Sequence, residues 1–128
     1  MTRSCFALSL LVALVGCGSS GPADYPVSGT VNWEGKPIPT GYINFYPTDS
    51  SGVSPDSGQI IDGKFAFRSK PGPKRIEVRA DRELGPPDKF MGGIPREAYI
   101  PAKYNDQTVL KEDVPVGGKA DYVFDLKK

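Results

Sequence analysis

Two turn signals lie close together in residues 60–80 and constrain the fold more than any other feature of the sequence. Asp62-Gly63 predicts a tight type I′ hairpin, because that turn needs positive φ at both central positions and both residues tolerate it. Pro71-Gly72 predicts a second turn. Around the turns, apolar side chains alternate with polar ones at the period of a strand that buries one face. The segment therefore predicts three consecutive strands arranged as a meander, with these apolar positions on one face: Phe65, Phe67, Ile76, Val78 and Ala80.

The same alternation recurs along the rest of the chain. It predicts strands at residues 27–33 and 42–46, one or two short strands within 109–116, and a last strand at 121–126. One face of the first strand carries Val27, Gly29, Val31 and Trp33, and one face of the last strand carries Tyr122, Phe124 and Leu126. Because 15 Gly and 13 Pro interrupt the sequence, no long amphipathic helix fits after residue 20. Seven short strands with one apolar face each need a second sheet to bury that face. The predicted fold is all-β, a seven-stranded Ig-like or transthyretin-like β-sandwich.

The N-terminus has the pattern of a targeting segment. Arg3 precedes an apolar run that ends at Leu14-Val15-Gly16-Cys17, and this ending resembles the bacterial lipobox. The resemblance implies that residues 1–16 are a lipoprotein signal peptide and that Cys17 carries the lipid, with palmitate as an acyl chain. Residues 17–26 are then a flexible lipidated tether, since Gly and Ser dominate its start. The alternative is ordinary secretion with a Cys at this position by chance.

Residues 27–128 resemble the carboxypeptidase regulatory-like domain, a family with a transthyretin-like (prealbumin-like) fold. With the lipobox, the chain is similar to small lipoproteins that are abundant in planctomycete bacteria. The resemblance implies the fold and says little about activity, because most of its motifs are turn and core residues. Those motifs are Val27-x-Gly29-x-Val31, Gly35-Lys36-Pro37-Ile38 with Gly41, Asp62-Gly63-x-Phe65, Pro71-Gly72 before Ile76-x-Val78, Ile100-Pro101-Ala102-Lys103-Tyr104-Asn105, and Phe124-Asp125-Leu126.

The composition argues against several kinds of chemistry. The chain has no His, which excludes Ser-His-Asp and Cys-His nucleophilic arrangements and His-based metal sites. Hydrolases of 5-hydroxyisourate share the transthyretin-like fold, but they depend on His residues and a C-terminal Tyr-Arg-Gly-Ser motif that this chain lacks. The carboxylates do not have the spacing of a calcium loop. We therefore predict no catalytic residue, no cofactor and no metal site.

Charge and loop composition bear on partners. A formal net charge of +1 gives no general attraction for nucleic acid. A strip of basic residues from Lys70 to Arg82 is interrupted by Glu77 and is interpreted as a solvated strand face. Residues 81–99 show no period and are predicted to form a long loop, and loops of this length are usually functional or disordered.

The long loop supplies the candidate partner-binding residues, which are Phe90, Met91 and Tyr99. Two interpretations are open for the apolar pair. Phe90 either folds back over an open end of the sandwich, or it stays exposed to meet a partner.

Two functional hypotheses follow. In the first, the chain is a non-enzymatic, lipid-anchored module of the cell envelope, on the outer membrane and facing the periplasm or the exterior. It would act structurally or bind an envelope protein or polysaccharide. In the alternative, it is a transthyretin-like small-molecule hydrolase or ligand-binding protein. The absence of His favours the first hypothesis.

Replacing Cys17 with Ser tests the anchor. The change removes the acylated side chain, and because two or more acyl chains are needed for stable anchoring, we expect loss of lipid labelling and of partitioning into detergent. Cys5→Ser is the matched control, because Cys5 lies in the predicted signal peptide and its loss should change neither property. Membrane fractionation of Cys17→Ser at the level of the unmodified chain would contradict the lipobox interpretation.

Overall fold

The computed structural model describes residues 23–49 and 52–128. The predicted signal peptide and Cys17 lie outside these residues, as does most of the predicted tether. The first strand begins at Tyr25, two residues before the predicted start of the domain. The described part contains one short 3₁₀ helix (Ala102–Tyr104) and these strands: β1 (Tyr25–Trp33), β2 (Lys36–Pro37), β3 (Thr40–Pro47), β4 (Asp56–Ile61), β5 (Lys64–Ser69), β6 (Gly72–Arg79), β7 (Asp81–Glu83), β8 (Arg96–Ala98), β9 (Lys111–Val114) and β10 (Lys119–Leu126).

Seven of the strands form one curled sheet in the order β10-β1-β5-β4-β3-β6-β9, and β2 pairs with β1. β1 and β10 are parallel, whereas the other neighbours are antiparallel. Between β4 and β5 a single residue pair is in register, Ile61 opposite Lys64, beside the turn. The sheet therefore opens at this point into two layers, β10-β1-β5 and β4-β3-β6-β9. The prediction of an all-β, sandwich-like fold is confirmed.

The core lies between the two layers, and Phe45 of β3 is at its centre. Its ring meets Phe65 of β5 at 6.2 Å and Tyr122 of β10 at 5.6 Å, both edge to face. The predicted inward positions of β10 are confirmed, since Tyr122, Phe124 and Leu126 are all buried. The Tyr122 hydroxyl donates to the carbonyl of Asp113 on β9, which ties together the two ends of the sheet path. The buried apolar side chains are Val27, Val31, Ile38, Ile43, Phe45, Ile60, Phe65, Ile76, Val78, Ala80, Ile100, Val114, Tyr122, Phe124 and Leu126.

The Asp62-Gly63 turn has the predicted backbone conformation. The two residues have φ of 51° and 75°, as a type I′ turn requires. The turn also joins strands on both sides of it, because Val31 N–H donates to the Gly63 carbonyl at 2.8 Å and Gly63 N–H donates to the Ile38 carbonyl at 2.7 Å. This turn is therefore packed into the sheet rather than projecting from it.

The predicted meander is wrong at its second turn. β5 pairs with β1, and β6 pairs with β3, so the two strands on either side of Pro71-Gly72 belong to different layers. The alternating pattern nevertheless predicted the apolar faces of β5 and β6 correctly, because the two strands contact the same core from opposite sides. Pro71-Gly72 carries the chain across the core, with φ of 120° at Gly72.

The basic strip of β6 is not a fully solvated face. Lys74 shares the inward face of Ile76 and Val78 and is only 2% exposed, and its Nζ lies 3.5 Å from the Asp56 carboxylate. Glu77, on the other face, is 5% exposed because Arg75 and Arg79 flank it. Burial of a charge is costly unless it is paired, and both residues have an opposite charge within 4 Å.

Truncation of Phe65 measures the core contribution. Phe65 is 3% exposed, so Phe65→Ala should lower the free energy of unfolding by about 3–5 kcal/mol through lost burial and a residual cavity. Lys64→Ala is the matched control in the same strand, because its exposed side chain should change stability by about 0.5 kcal/mol or less. Urea melts measure both, and equal effects would contradict the assignment of the strand faces.

Candidate functional site

Residues 81–98 form an arm apart from the main sheet. The sequence predicted an irregular loop here, but β7 and β8 pair as an antiparallel ribbon, with Arg82 opposite Glu97 and Glu83 opposite Arg96. The alternating pattern missed the ribbon because every residue of both strands is exposed, so no apolar face marks it. The signal available in the sequence is the complementary charge at positions that oppose each other across the ribbon.

Ion pairs cover both faces of the ribbon. Arg82 donates to Glu97 Oε2 through Nε at 3.1 Å and Nη2 at 2.9 Å. Arg96 lies 2.8 Å from Asp81 Oδ1 and 3.2 Å from Glu83 Oε1. The hydrogen bond from Arg96 holds the pKa of Asp81 below its usual value. Such exposed pairs stabilise little individually, so they select the register of the ribbon more than they add to stability.

Asp88 orders the tip of the arm. Its Oδ1 accepts hydrogen bonds from the backbone N–H of Phe90 at 2.7 Å and of Met91 at 2.8 Å. Its own N–H donates to the Gly93 carbonyl at 2.8 Å, and Gly92 N–H donates to the Asp88 carbonyl at 3.0 Å. The N–H groups of Met91 and Phe90 lower the pKa of Asp88, so its carboxylate is ionised at neutral pH. The tip is a closed, hydrogen-bonded turn.

Phe90 and Met91 point into solvent from this turn. They are 98% and 88% exposed, which decides between the two interpretations of the apolar pair. Phe90 does not fold back over an open end of the sandwich. A pair of large apolar side chains on an ordered turn is a feature that interaction sites use.

Tyr99, the third candidate residue, lies at the opposite end of the arm. Its ring packs edge to face on Trp33 of β1, with centroids 6.0 Å apart, and the Arg82 guanidinium lies 5.5 Å from its centroid. Burial raises the pKa of Tyr99 above its ordinary value of 10.0, which Arg82 opposes, so the phenol is protonated at neutral pH. The structure therefore separates Tyr99 from Phe90 and Met91.

A cleft of about 700 Å³ lies beside Tyr99, between the arm and the hairpin of β1 and β2. We call it the basal cleft. Sequence patterns do not reveal this cleft, because its walls come from segments about fifty positions apart. Its lining residues are Trp33, Glu34, Lys36, Pro37, Pro39, Thr40, Asp81, Arg82, Glu83, Arg96 and Tyr99.

A second polar cluster surrounds Asp56 at the start of β4. Its Oδ2 accepts from Ser69 Oγ at 2.8 Å and from Lys70 N–H at 3.0 Å, in addition to the Lys74 contact. Ser69 is fully buried, so its hydroxyl is closed to a substrate. The cluster joins the start of β4, the end of β5 and β6, and its role is structural. Residues 23–49 and 52–128 hold no group of three or more Cys, Asp or Glu placed to bind a metal ion.

No helix within the described ranges is long and apolar enough to cross a membrane. Neither the protein-family models nor the curated proteins gave a match to this sequence. Among solved structures, a DUF3823 family protein from Parabacteroides merdae is similar, with 12% sequence identity and a TM-score of 0.46. The similarity covers 82% of this chain and 46% of that protein, so the chain spans less than half of that protein's length. The fold assignment rests on the strand order and the core described above.

The Asp56 cluster predicts a pH-dependent stability. Burial raises the pKa of Asp56, but the hydrogen bonds from Lys70 and Ser69 and the charge of Lys74 outweigh it, so the pKa lies below its ordinary 3.8. The stabilisation is therefore present above pH 3.8 and is lost as the pH falls through the lower, folded-state pKa. Asp56→Asn should cost on the order of 1–3 kcal/mol at pH 7, because it leaves Lys74 without its charged partner.

Urea melts as a function of pH measure this effect. The difference between the unmodified chain and Asp56→Asn should shrink as the pH falls below about 3.8. Asp121→Asn is the control, since Asp121 is an exposed carboxylate on β10. A difference that stays constant down to pH 2 would contradict the assignment.

Proposed function

We propose that this chain is a non-enzymatic binding module, anchored in the cell envelope through a lipid on Cys17, whose arm binds an envelope protein partner. The observation that carries the proposal is the exposure of Phe90 and Met91 at the tip of the arm. Interfaces depend on a few large apolar or aromatic anchors, and these two residues have that character.

The geometry of the tip supports a protein partner. Binding is weaker when it must first order the groups that make contact, and at this tip Asp88 already fixes the backbone of both apolar residues. The exposed tip also belongs to a two-stranded ribbon outside the main sheet, which suits insertion of the Phe90 ring into a concave pocket of another protein. Exposed apolar side chains occur elsewhere, as at Val109 and Val116, but there they stand singly.

The anchor and the arm fit one arrangement. The lipobox resemblance would attach the chain to a membrane at Cys17, and the tether would release the domain from the surface. A membrane-attached module with a projecting apolar tip is suited to holding a second envelope component nearby. The absence of His, with Ser69 buried, supports a binding role over a hydrolytic one.

Serine substitutions at the tip test the proposal. Because Phe90 and Met91 contribute little to the core, the double change of both to Ser should alter the melting temperature by no more than about 1 °C. It should abolish copurification of the partner from detergent-solubilised envelopes of the native host. The matched control is the double change of Val109 and Val116 to Ser, which also removes two exposed apolar side chains.

Photo-crosslinking gives an independent measurement in the full-length, membrane-bound chain. A photoreactive phenylalanine at position 90 should yield one defined protein adduct, whereas the same residue at position 116 should not. Identical adducts from both positions, or unchanged copurification with the tip variant, would overturn the proposal.

A further inference from the structure

The basal cleft has a lining distinct from that of the arm tip. Two aromatic rings, Trp33 and Tyr99, meet at one wall, and both are half-buried, so part of each ring faces outward. Pro37 and Pro39 add apolar surface on the side of the β1–β2 hairpin. Ligand sites generally combine such apolar walls with a few polar groups that fix orientation.

The charges of the lining balance. Glu34, Asp81 and Glu83 are offset by Lys36, Arg82 and Arg96, so an ionic ligand of either sign gains no net attraction. Four of the six already take part in the ion pairs of the arm, and these pairs fix the positions of their hydrogen-bonding atoms. The four are Asp81, Arg82, Glu83 and Arg96. Carboxylates accept and guanidinium groups donate, so the cleft offers both kinds of partner to a hydroxyl group.

We propose that the basal cleft binds a neutral oligosaccharide, with one sugar ring against Trp33 and Tyr99. A pyranose has apolar C–H faces that pack on aromatic rings, and equatorial hydroxyls that both donate and accept hydrogen bonds. The volume of about 700 Å³ is in the range of small-ligand sites. This site is separate from the arm tip and does not depend on the function proposed for it.

The chain contains its own reporter for the site. Trp33 is the only tryptophan of the sequence, so all indole fluorescence comes from the cleft wall. The full chain in detergent is titrated with maltohexaose, cellohexaose and xylohexaose, and with hexagalacturonate as the charged counterpart. We expect at least one neutral hexaose to produce a saturable change in Trp33 emission and to protect the indole from quenching by acrylamide.

Substitutions locate the effect. Tyr99→Ala should weaken binding about tenfold or more, whereas Tyr99→Phe keeps the ring and should retain most of the affinity. Tyr42→Ala is the matched control, since it removes an exposed tyrosine that does not line the cleft. The double tip variant, with Phe90 and Met91 changed to Ser, should bind as the unmodified chain does.

The acrylamide measurement on the unmodified chain keeps the proposal testable if Tyr99→Ala fails to fold. The proposal is overturned if none of the three neutral hexaoses changes Trp33 emission or its quenching, or if only hexagalacturonate does. It is also overturned if a folded Tyr99→Ala binds as well as Tyr42→Ala does. A negative result in the sugar titration does not contradict the function proposed for the arm tip. A negative crosslinking result at position 90 likewise does not contradict sugar binding in the basal cleft.

Discussion

The edge-to-face packing of Phe45 against rings of the opposite layer is the contact on which the fold depends. β4 and β5 are paired at only one position, so backbone hydrogen bonds alone do not hold the two layers in place. Phe45 meets Phe65, Phe67 and Tyr122, and this aromatic cluster spans the gap that the sheet leaves open. Aromatic pairs of this geometry add stability beyond the area they bury. The chain achieves this without a disulfide in its described residues, because neither Cys lies there.

The parallel pairing of β1 with β10 connects the core to the basal cleft. Trp33 is opposite Leu126, a core residue, at the end of this pairing. The Trp33 ring is therefore anchored on the core at one side and free at the basal cleft on the other. β1 and β10 approach each other closely at Gly29, where an added β-carbon would lie only 2.2 Å from the Tyr122 carbonyl oxygen. A side chain at this position would push β10 away and disturb the wall that carries Trp33.

Sequence periodicity predicted correctly which face of several strands is buried, but it did not predict which strands pair with each other. The inward positions of β1, β5, β6 and β10 were correct, because alternation depends only on which side of a strand meets the core. The partner of each strand depends on contacts between distant segments, which is why the pairing of β5 with β1 was not predicted. The arm was missed for another reason, since a ribbon exposed on both faces has no apolar alternation at all. Phe90 and Met91 were identified as candidates from composition alone, but their exposure required the structure.

The arm links two surfaces of different chemistry through one small ribbon. Arg82 shows how, because it pairs with Glu97 across the ribbon and also lies over the Tyr99 ring at the cleft. Its charge is thus already compensated, so a neutral ligand entering the cleft need not strip water from an unpaired cation. The tip, by contrast, is ordered by the hydrogen bonds of its own Asp88 and not by contacts at the base of the arm. Because each end is ordered by its own contacts, a change at one end is not expected to alter the other, and the two surfaces can be occupied independently.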